Sequence, residues 1–203
     1  PLKIKSENYS IKQTSKIKDF ISPELTDEQV NAIKIFDSIS SGESMLLWGV
    51  TGSGKTEVYM QLAHRTILNQ SSCLILAPEI GLVPQLVDRF RSRFGEMVFE
   101  YHSGCNQKER VNVWRKSRIS SSPIIIIGTR SAIFLPLNPL GLIVVDEEHD
   151  SSYKQDSPMP CYNAKDLAFS RIKKIGGRLI LGSATPSLTT WKSLKPNGTI
   201  ELA

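Results

Sequence analysis

The sequence predicts a three-layer α/β domain in which a central, mostly parallel sheet carries helices on both faces. Short apolar, β-rich runs alternate with helical patterns along most of the 203 residues, and this alternation is typical of βαβ units. The runs are apolar at successive positions, which indicates strands that are buried on both faces. At about 150 residues per domain, the length allows one such unit.

The elements follow one another in a regular order. A first helix is predicted to start in the segment LTDEQ, with Thr26 as its N-cap and acidic residues in its first turn. The predicted strands are residues 45–48, 74–77, 98–101, 124–127, 142–145 and 179–181. The remaining helices are predicted near residues 56–68, 82–94, 107–116 and 164–175. In parallel sheets of this kind, ligands bind beyond the carboxyl ends of the strands, so functional residues are expected directly after each strand.

Two segments lie outside this pattern. Residues 1–23 carry five lysines and are expected to form a basic linker or arm, whereas residues 24–203 form the domain. Residues 150–163, DSSYKQDSPMPCYN, form a long polar connection without periodicity. Connections of this length are usually functional or mobile.

Composition excludes several classes of protein. A chain with 40% hydrophobic and 22% charged residues has the balance of a soluble globular protein. The longest uncharged stretch, residues 131–145, contains two prolines and is shorter than the roughly 20 apolar residues that span a bilayer. The three cysteines are far apart, which supports neither a disulfide framework nor a zinc site and fits a cytoplasmic protein. Because the chain lacks an initiator methionine, it is expected to be part of a longer protein.

The net charge of +5 is unevenly distributed. Residues 86–118 contain eight lysines and arginines against four acidic residues. Such a stretch could contact a phosphate backbone, or it could be a solvated helix face.

Residues 49–56, GVTGSGKT, match the phosphate-binding loop (P-loop, or Walker A) pattern GxxxxGK[ST] between a predicted strand and a predicted helix. In such a loop the backbone N–H groups surround the phosphates, Lys55 neutralises the β- and γ-phosphate oxygens, and the Thr56 hydroxyl binds Mg²⁺. The residues expected to bind the nucleotide are Gly49, Thr51, Gly52, Ser53, Gly54, Lys55 and Thr56. The pattern therefore predicts a P-loop NTPase.

Acidic residues follow the apolar strand at residues 142–145. Asp146 is expected to hold Mg²⁺ together with Thr56, and Glu147 to orient or deprotonate the attacking water. His149 is assigned to coupling rather than to chemistry. Ser183 and Thr185 place hydroxyl groups at the end of the next strand, where they can bond to these acidic residues. The alternatives are a solvated acidic turn for DEEHD and a plain turn for Ser183–Thr185.

The motifs GVTGSGKT, DEEH and SAT, in this order and spacing, resemble the first RecA-like lobe of superfamily 2 helicases. Residues 77–82, followed by Pro84 and Gln85, resemble motif Ia, and residues 128–132 resemble motif Ib. The runs GVTGSGKTEVY, GTRSAIF and DEEHDSSYKQ closely resemble the PriA family (primosomal protein N′, replication restart DNA helicases), and the resemblance covers about residues 24–190. LTDEQ resembles the Q-motif of that family, which implies that Gln29 reads adenine.

The resemblance implies a 3′-to-5′ DNA helicase that uses ATP and Mg²⁺, translocates on single-stranded DNA and acts at replication forks. The implied partners are single-stranded and forked DNA, primosome and helicase-loading proteins, and single-stranded DNA-binding protein. Lys55, Asp146 and Glu147 would be catalytic. Coupling to the nucleotide state would fall to His149, Ser183 and Thr185. The resemblance implies DNA contacts at Pro78, Thr129 and Arg130, whereas Tyr153 and Tyr162 could stack on bases or pack on the domain surface.

The chain also departs from the family. Where the family tends to have Arg-Tyr-His-Ala-Arg, this chain has CYNAK at residues 161–165, which is expected to change the coupling of DNA contact to hydrolysis. The second lobe with its arginine finger, the zinc-binding region and the N-terminal DNA-binding domain are expected to lie outside this chain, so that alone it hydrolyses ATP poorly.

Two other functions remain as alternatives to a PriA-type motor lobe. One is a lobe of a RecG-like or UvrB-like translocase, whose acidic tetrads are usually DEQH and DESH. The other is a non-motor nucleotide- or DNA-binding fragment.

Overall fold

A computed structural model describes residues 24–194 and the backbone of residues 199–202. The basic arm predicted at residues 1–23 lies outside this part of the chain. The helices are α1 (Asp27–Ser38), α2 (Lys55–Leu68), α3 (Val83–Phe94), α4 (Gln107–Ile119), α5 (Ala164–Ile175) and α6 (Leu188–Leu194). The strands are β1 (Ser44–Gly49), β2 (Ser72–Leu76), β3 (Val98–Tyr101), β4 (Ile125–Gly128), β5 (Leu140–Val145), β6 (Lys154–Gln155), β7 (Tyr162–Asn163), β8 (Arg178–Ser183) and β9 (Thr199–Leu202).

Seven of the strands form one sheet in the order β3-β4-β2-β5-β8-β1-β9. Every neighbouring pair is parallel, and in the middle of the sheet Ile143 pairs with Leu74 on one side and with Leu179 on the other. The predicted α/β fold with a central parallel sheet is therefore confirmed.

In strands β1, β2, β4, β5 and β8, alternate residues enter two apolar cores on opposite faces of the sheet. Leu47 and Ile75 point into a core that is completed by α1, α2 and α3. Leu46 and Leu74 point into the other core, which is closed mainly by α5, by the 3₁₀ helix Arg130–Phe134 and by Val113 of α4. This arrangement gives the predicted three layers and explains why the strands are apolar at successive positions.

The six predicted strands and five predicted helices are all present. Thr26 caps α1 as expected: its hydroxyl accepts a hydrogen bond from the N–H of Gln29, while the Gln29 side chain accepts one from the N–H of Thr26. The elements that the sequence did not predict are α6, β9, the short β6–β7 pair and several short 3₁₀ helices, among them Arg130–Phe134. Within the residues described here, no helix is long and apolar enough to cross a membrane.

The polar connection at residues 150–163 contains short regular elements that the sequence did not predict. Asp150 caps a short 3₁₀ helix, Ser151–Tyr153, by accepting a hydrogen bond from the N–H of Ser152. β6 and β7 then pair in an antiparallel hairpin. The amide of Gln155 closes the intervening turn by donating to the carbonyls of Pro158 and Pro160.

Replacing Gly128 by alanine should destabilise the fold. A Cβ at Gly128, at the carboxyl end of β4, would overlap the backbone carbonyl of Tyr101 on the neighbouring strand. A backbone atom cannot move aside as a flexible side chain can, so Gly128→Ala is expected to lower the free energy of unfolding in urea by about 2 kcal/mol. Gly81→Ala is the control, because a Cβ at Gly81 meets nothing within 4 Å. Equal midpoints for the two variants would contradict this account of the sheet edge.

Candidate active site

The P-loop curls between β1 and α2 because two of its glycines adopt conformations that other residues rarely reach. Gly52 and Gly54 have φ angles of +89° and +86°, in the left-handed region that favours glycine. At Gly54 a Cβ would also overlap the side-chain amide of Gln29. The structure therefore places Gln29 against the P-loop, while its predicted contact with adenine stays a prediction.

The P-loop contains groups that suit a bound anion. The ammonium of Lys55 is buried and donates hydrogen bonds to the carbonyls of Gly49, at 2.7 Å, and Val50, at 3.4 Å. The hydroxyl of Ser53 is buried and has no hydrogen-bond partner among the described atoms. Because a phosphate oxygen would accept from both side chains, the residues present fit a phosphate group.

The P-loop and the acidic turn after β5 face each other across one cleft of about 380 Å³. Its wall comprises Val50, Thr51, Gly52, Gly54, Lys55, Thr56, Leu82, Gln85, Leu86, Arg89, Asp146 and Glu147. The fold thus brings together Lys55 and Asp146, which are about 90 positions apart in the sequence. This is expected because the carboxyl ends of parallel strands lie at the same edge of the sheet. The wall formed by α3 and the residues before it, including Arg89, was not predicted.

Asp146 follows β5 directly, and its carboxylate accepts a hydrogen bond of 2.9 Å from the hydroxyl of Tyr59. Burial raises the pKa of Asp146, and the nearby Glu147 adds to the rise, whereas the hydrogen bond from Tyr59 and the charge of Lys55 act in the opposite direction. Tyr59 is fully buried on α2, and burial raises its own pKa well above the usual value, so it remains a donor.

Sequence reasoning missed Tyr59. The available signal was its position four residues after Lys55, which places both side chains on the same side of α2. Gly182 on β8 makes room for the phenol, because a Cβ there would overlap the Tyr59 hydroxyl.

Glu147 lies in the left-handed region, with φ +46°, which is uncommon for a residue with a side chain. This conformation turns its carboxylate toward the cleft: one oxygen lies 3.6 Å from the Lys55 ammonium, and the other accepts a hydrogen bond from the N–H of Ala184. Glu147 therefore contacts both the P-loop lysine and the segment after β8.

The three residues predicted to act in coupling come together at the carboxyl end of β8. Nδ1 of His149 lies 2.8 Å from the hydroxyl of Ser183, and its Nε2 lies 3.3 Å from the hydroxyl of Thr185. One imidazole thus joins the turn after β5 to the turn after β8. The relay of nucleotide state through these residues stays a prediction.

Glu148, between the two predicted acids and His149, was also missed, and it points away from the cleft into the protein. It is 1% exposed and accepts hydrogen bonds from Lys165 at 2.7 Å, the N–H of Ser187 at 2.7 Å and Thr190 at 2.8 Å. Burial acts to raise the pKa of Glu148, but these hydrogen bonds outweigh it and lower the pKa. The acid therefore ties the site to α5 and α6.

Three of the residues predicted to contact DNA lie near the carboxyl ends of β2 and β4. The carbonyl of Pro78 accepts a hydrogen bond from the hydroxyl of Ser152, and the N–H of Thr129 donates to the carbonyl of Tyr101. Arg130 donates to the carbonyls of Ser152 and Lys154. Their contacts with DNA stay predictions.

The two tyrosines of the polar connection have different surroundings. Tyr162 is partly exposed and packs edge-on against Phe134. Tyr153 is 1% exposed, and its hydroxyl lies 2.9 Å from the carbonyl of Leu76 and 2.5 Å from that of Asp146. Because its ring has no free face, the prediction that Tyr153 stacks on bases is wrong in this structure.

The part of the chain described here has no group of three or more His, Cys, Asp or Glu side chains able to hold a metal ion. Thr56 and Asp146, the predicted Mg²⁺ ligands, both line the cleft. Mg²⁺ commonly binds through one or two carboxylates, with substrate phosphates and water completing its shell. The residues therefore fit a Mg²⁺ ion that arrives with a nucleotide.

Comparison with known proteins identifies a family. Residues 26–194 match the DEAD/DEAH box helicase family. Relatives called replication restart protein PriA include those of Synechocystis (50% identical over 85% of this chain and 21% of that protein) and Bacillus subtilis (45%, over 82% and 21%). The Rickettsia prowazekii relative is 40% identical over 96% of this chain and 30% of that protein. The resemblance to the PriA family is confirmed, and the chain spans less than a third of these relatives.

Solved structures share the fold. The Pyrococcus furiosus Hef helicase domain superimposes with a TM-score of 0.60 at 22% identity, over 86% of this chain and 37% of that one. RecG bound to a three-way DNA junction gives a TM-score of 0.61 at 19% identity, over 89% of this chain and 24% of that one. At these identities the likeness concerns the fold alone.

Removing the cation beside Glu148 should destabilise the protein mainly at neutral pH. Lys165→Met leaves a buried carboxylate without its ion-pair partner, which is expected to cost about 3 kcal/mol of unfolding free energy. Because its folded-state pKa is lowered, Glu148 contributes stability above its unfolded pKa and loses it as the pH falls through the folded value. Urea unfolding at pH 7 and pH 4 measures the effect.

Lys173→Met, on the exposed part of α5, is the matched control and should change little. A loss for Lys165→Met that is as large in acid as at neutral pH would contradict the role given to the Glu148 charge.

Replacing Asp146 by asparagine should have opposite effects on stability and on binding. The raised pKa of Asp146 means that the folded state holds this proton more tightly than the unfolded chain, so the ionised group costs stability above that pKa. Asp146→Asn should therefore unfold at higher urea at pH 7, and this gain should shrink in acid. Mg²⁺-dependent nucleotide binding should fall. Asp156→Asn, at an exposed position, is the control, and a less stable Asp146→Asn variant would contradict this account.

Proposed function

The chain belongs to the DEAD/DEAH box helicase family, and from this premise we propose that it is the ATP-binding motor lobe of a 3′-to-5′ DNA helicase that acts in replication restart. It couples ATP hydrolysis to translocation on single-stranded DNA. The observation that carries the proposal is the cleft in which Lys55 and Thr56 face Asp146 and Glu147. A site that only bound nucleotide would not need the second carboxylate.

The chemistry follows from the position of each group. Lys55 exchanges its bond to the Gly49 carbonyl for the β- and γ-phosphate oxygens of ATP, and the P-loop N–H groups surround those phosphates. Thr56 and Asp146 would hold Mg²⁺, which would supply positive charge that neutralises the phosphates during transfer. Glu147 orients the attacking water and accepts its proton. The water oxygen bonds to the γ-phosphorus while the bond from that phosphorus to the bridging oxygen breaks, and ADP and phosphate leave. Its contact with the N–H of Ala184 fixes the carboxylate for this task.

The proposal about DNA rests on the family and on the relatives. The curated relatives are named for replication restart, and two solved structures with the same fold, those of RecG and of the helicase MrfA, have DNA bound. Pro78, Thr129 and Arg130 are proposed to follow the sugar-phosphate backbone of the strand, which positions DNA without reading its sequence. The direction of movement, the forked substrate, the primosome partners and the cytoplasmic location are proposed from the PriA resemblance.

The proposal is tested on a fusion of this chain to the C-terminal remainder of the Synechocystis relative. Single-stranded oligothymidylate should stimulate its ATP hydrolysis, and Lys55→Ala should abolish that activity. Glu147→Gln should still bind Mg²⁺ and ATP but hydrolyse about 10²- to 10⁴-fold more slowly, the usual contribution of a positioned base. Steady-state phosphate release measures turnover, and a fluorescent ATP analogue measures binding.

Glu96→Gln is the matched control, because Glu96 is exposed and lies outside the cleft wall. A fusion that binds ATP but shows no stimulation by single-stranded DNA would reject the motor and favour a nucleotide-binding module. Unchanged turnover in Glu147→Gln would remove Glu147 from its role.

A further inference from the structure

One side of α4 presents aromatic and cationic side chains to solvent. We call the surface formed by Tyr101, Arg110, Val111, Trp114 and Arg118 the α4 face. Only Val113 and Ser117 of α4 are buried, whereas Trp114 and Val111 are each 42% exposed. A shallow cleft of about 310 Å³ runs between the helix and Tyr101, lined by Tyr101, Gln107, Arg110, Val111 and Trp114.

The cations of this face are held against its rings. The Arg110 guanidinium lies 5.5 Å from the centroid of the Tyr101 ring, and that of Arg118 lies 5.7 Å from the ring of Trp114. These contacts keep positive charge and exposed aromatic surface side by side. The acid in the first turn of α4, Glu109, is engaged in the capping box with Asn106.

The α4 face adjoins the proposed DNA track. Tyr101 is the last residue of β3, the edge strand next to β4, and its carbonyl accepts a hydrogen bond from the N–H of Thr129. The carboxyl ends of β2, β4 and β3 therefore lie in sequence along the edge of the sheet. A strand that follows Pro78 and Thr129 in this direction reaches Tyr101 and then α4.

We propose that the α4 face binds single-stranded nucleic acid that continues beyond Thr129, with a base stacked on Trp114 and phosphates bound by Arg110 and Arg118. This inference rests on the proposed function, because it extends the same track. Alternating rings and guanidinium groups match the alternating bases and phosphates of a single strand. An acidic peptide would satisfy the cations, but it would not use the continuity of the face with Thr129.

The experiment measures how the affinity of this chain for oligothymidylate depends on oligonucleotide length and salt. Oligomers of about 4 and about 16 nucleotides bracket the usual size of single-strand sites. The parent chain should bind the longer oligomer more tightly. Trp114→Ala should lower affinity for the longer oligomer about tenfold, and Arg110→Gln should reduce the slope of log K against log salt concentration by about 0.7. Both variants should bind the shorter oligomer as the parent does.

Lys116→Gln is the matched control. It also removes one positive charge from α4, but at about 100° per residue Lys116 points roughly 160° away from Trp114 and from Arg118, and its ammonium lies over the ring of Phe99. Its affinity and salt slope should equal those of the parent for both oligomers. Urea midpoints of all variants establish that they are folded.

Four outcomes would overturn the proposal. The first is equal loss in Lys116→Gln and Arg110→Gln, which would indicate a diffuse effect of charge. The second is a parent chain that binds ATP but no oligomer at low salt. The third concerns the fluorescence of Trp114, which is identified as the signal that Trp114→Phe removes. If polyglutamate quenches this fluorescence and oligothymidylate does not, the face is a site for an acidic peptide. The fourth is normal binding of the longer oligomer by all α4 variants. This result would show that the α4 face does not bind the strand, and it would leave the proposed motor function intact.

Discussion

If Asp146 holds Mg²⁺ as proposed, the candidate active site depends on keeping this carboxylate ionised at the end of a buried strand. Burial favours the neutral form of Asp146, yet only the charged form would hold a divalent cation. The surrounding residues act against this tendency: Tyr59 donates a hydrogen bond to the carboxylate, and the Lys55 charge favours ionisation. Gly182 makes the hydrogen bond from Tyr59 possible, because any side chain there would displace the phenol of Tyr59.

The acidic turn directs successive carboxylates to different places. Asp146 and Glu147 line the cleft, and the left-handed backbone at Glu147 reverses the chain so that Glu148 points inward to Lys165 and Thr190. The N–H of Glu148 is held by the carbonyl of Gly182 on β8. A buried, fully hydrogen-bonded acid in the middle of the turn thereby fixes the orientation of the two carboxylates before it, which is the kind of preorganisation that catalysis requires.

Sequence reasoning succeeded where the signal is local. The P-loop, the apolar strands and the capping box of α1 are each specified within a few residues, and parallel topology then brings Lys55 and Asp146 to one cleft. Tyr59 and Glu148 were missed because their hydrogen-bond partners lie 87 and 17 to 42 residues away. The four-residue spacing from Lys55 predicts the side of α2 on which Tyr59 lies, but not its partner. Tyr153 was misassigned for the same reason: a tyrosine within a polar connection gives no local sign that its hydroxyl will reach the carbonyls of β2 and Asp146.

Two consecutive residues, Ser152 and Tyr153, connect the proposed DNA track to the nucleotide cleft. Ser152 donates to the carbonyl of Pro78, and its own carbonyl accepts from Arg130. Tyr153 holds the carbonyl of Asp146. Because Tyr153 is 1% exposed and belongs to the apolar core, a shift of this segment is expected to reach the backbone of Asp146 through that hydrogen bond. A strand that drew Arg130 away from Ser152 would therefore act on the segment that contacts the carbonyl of Asp146.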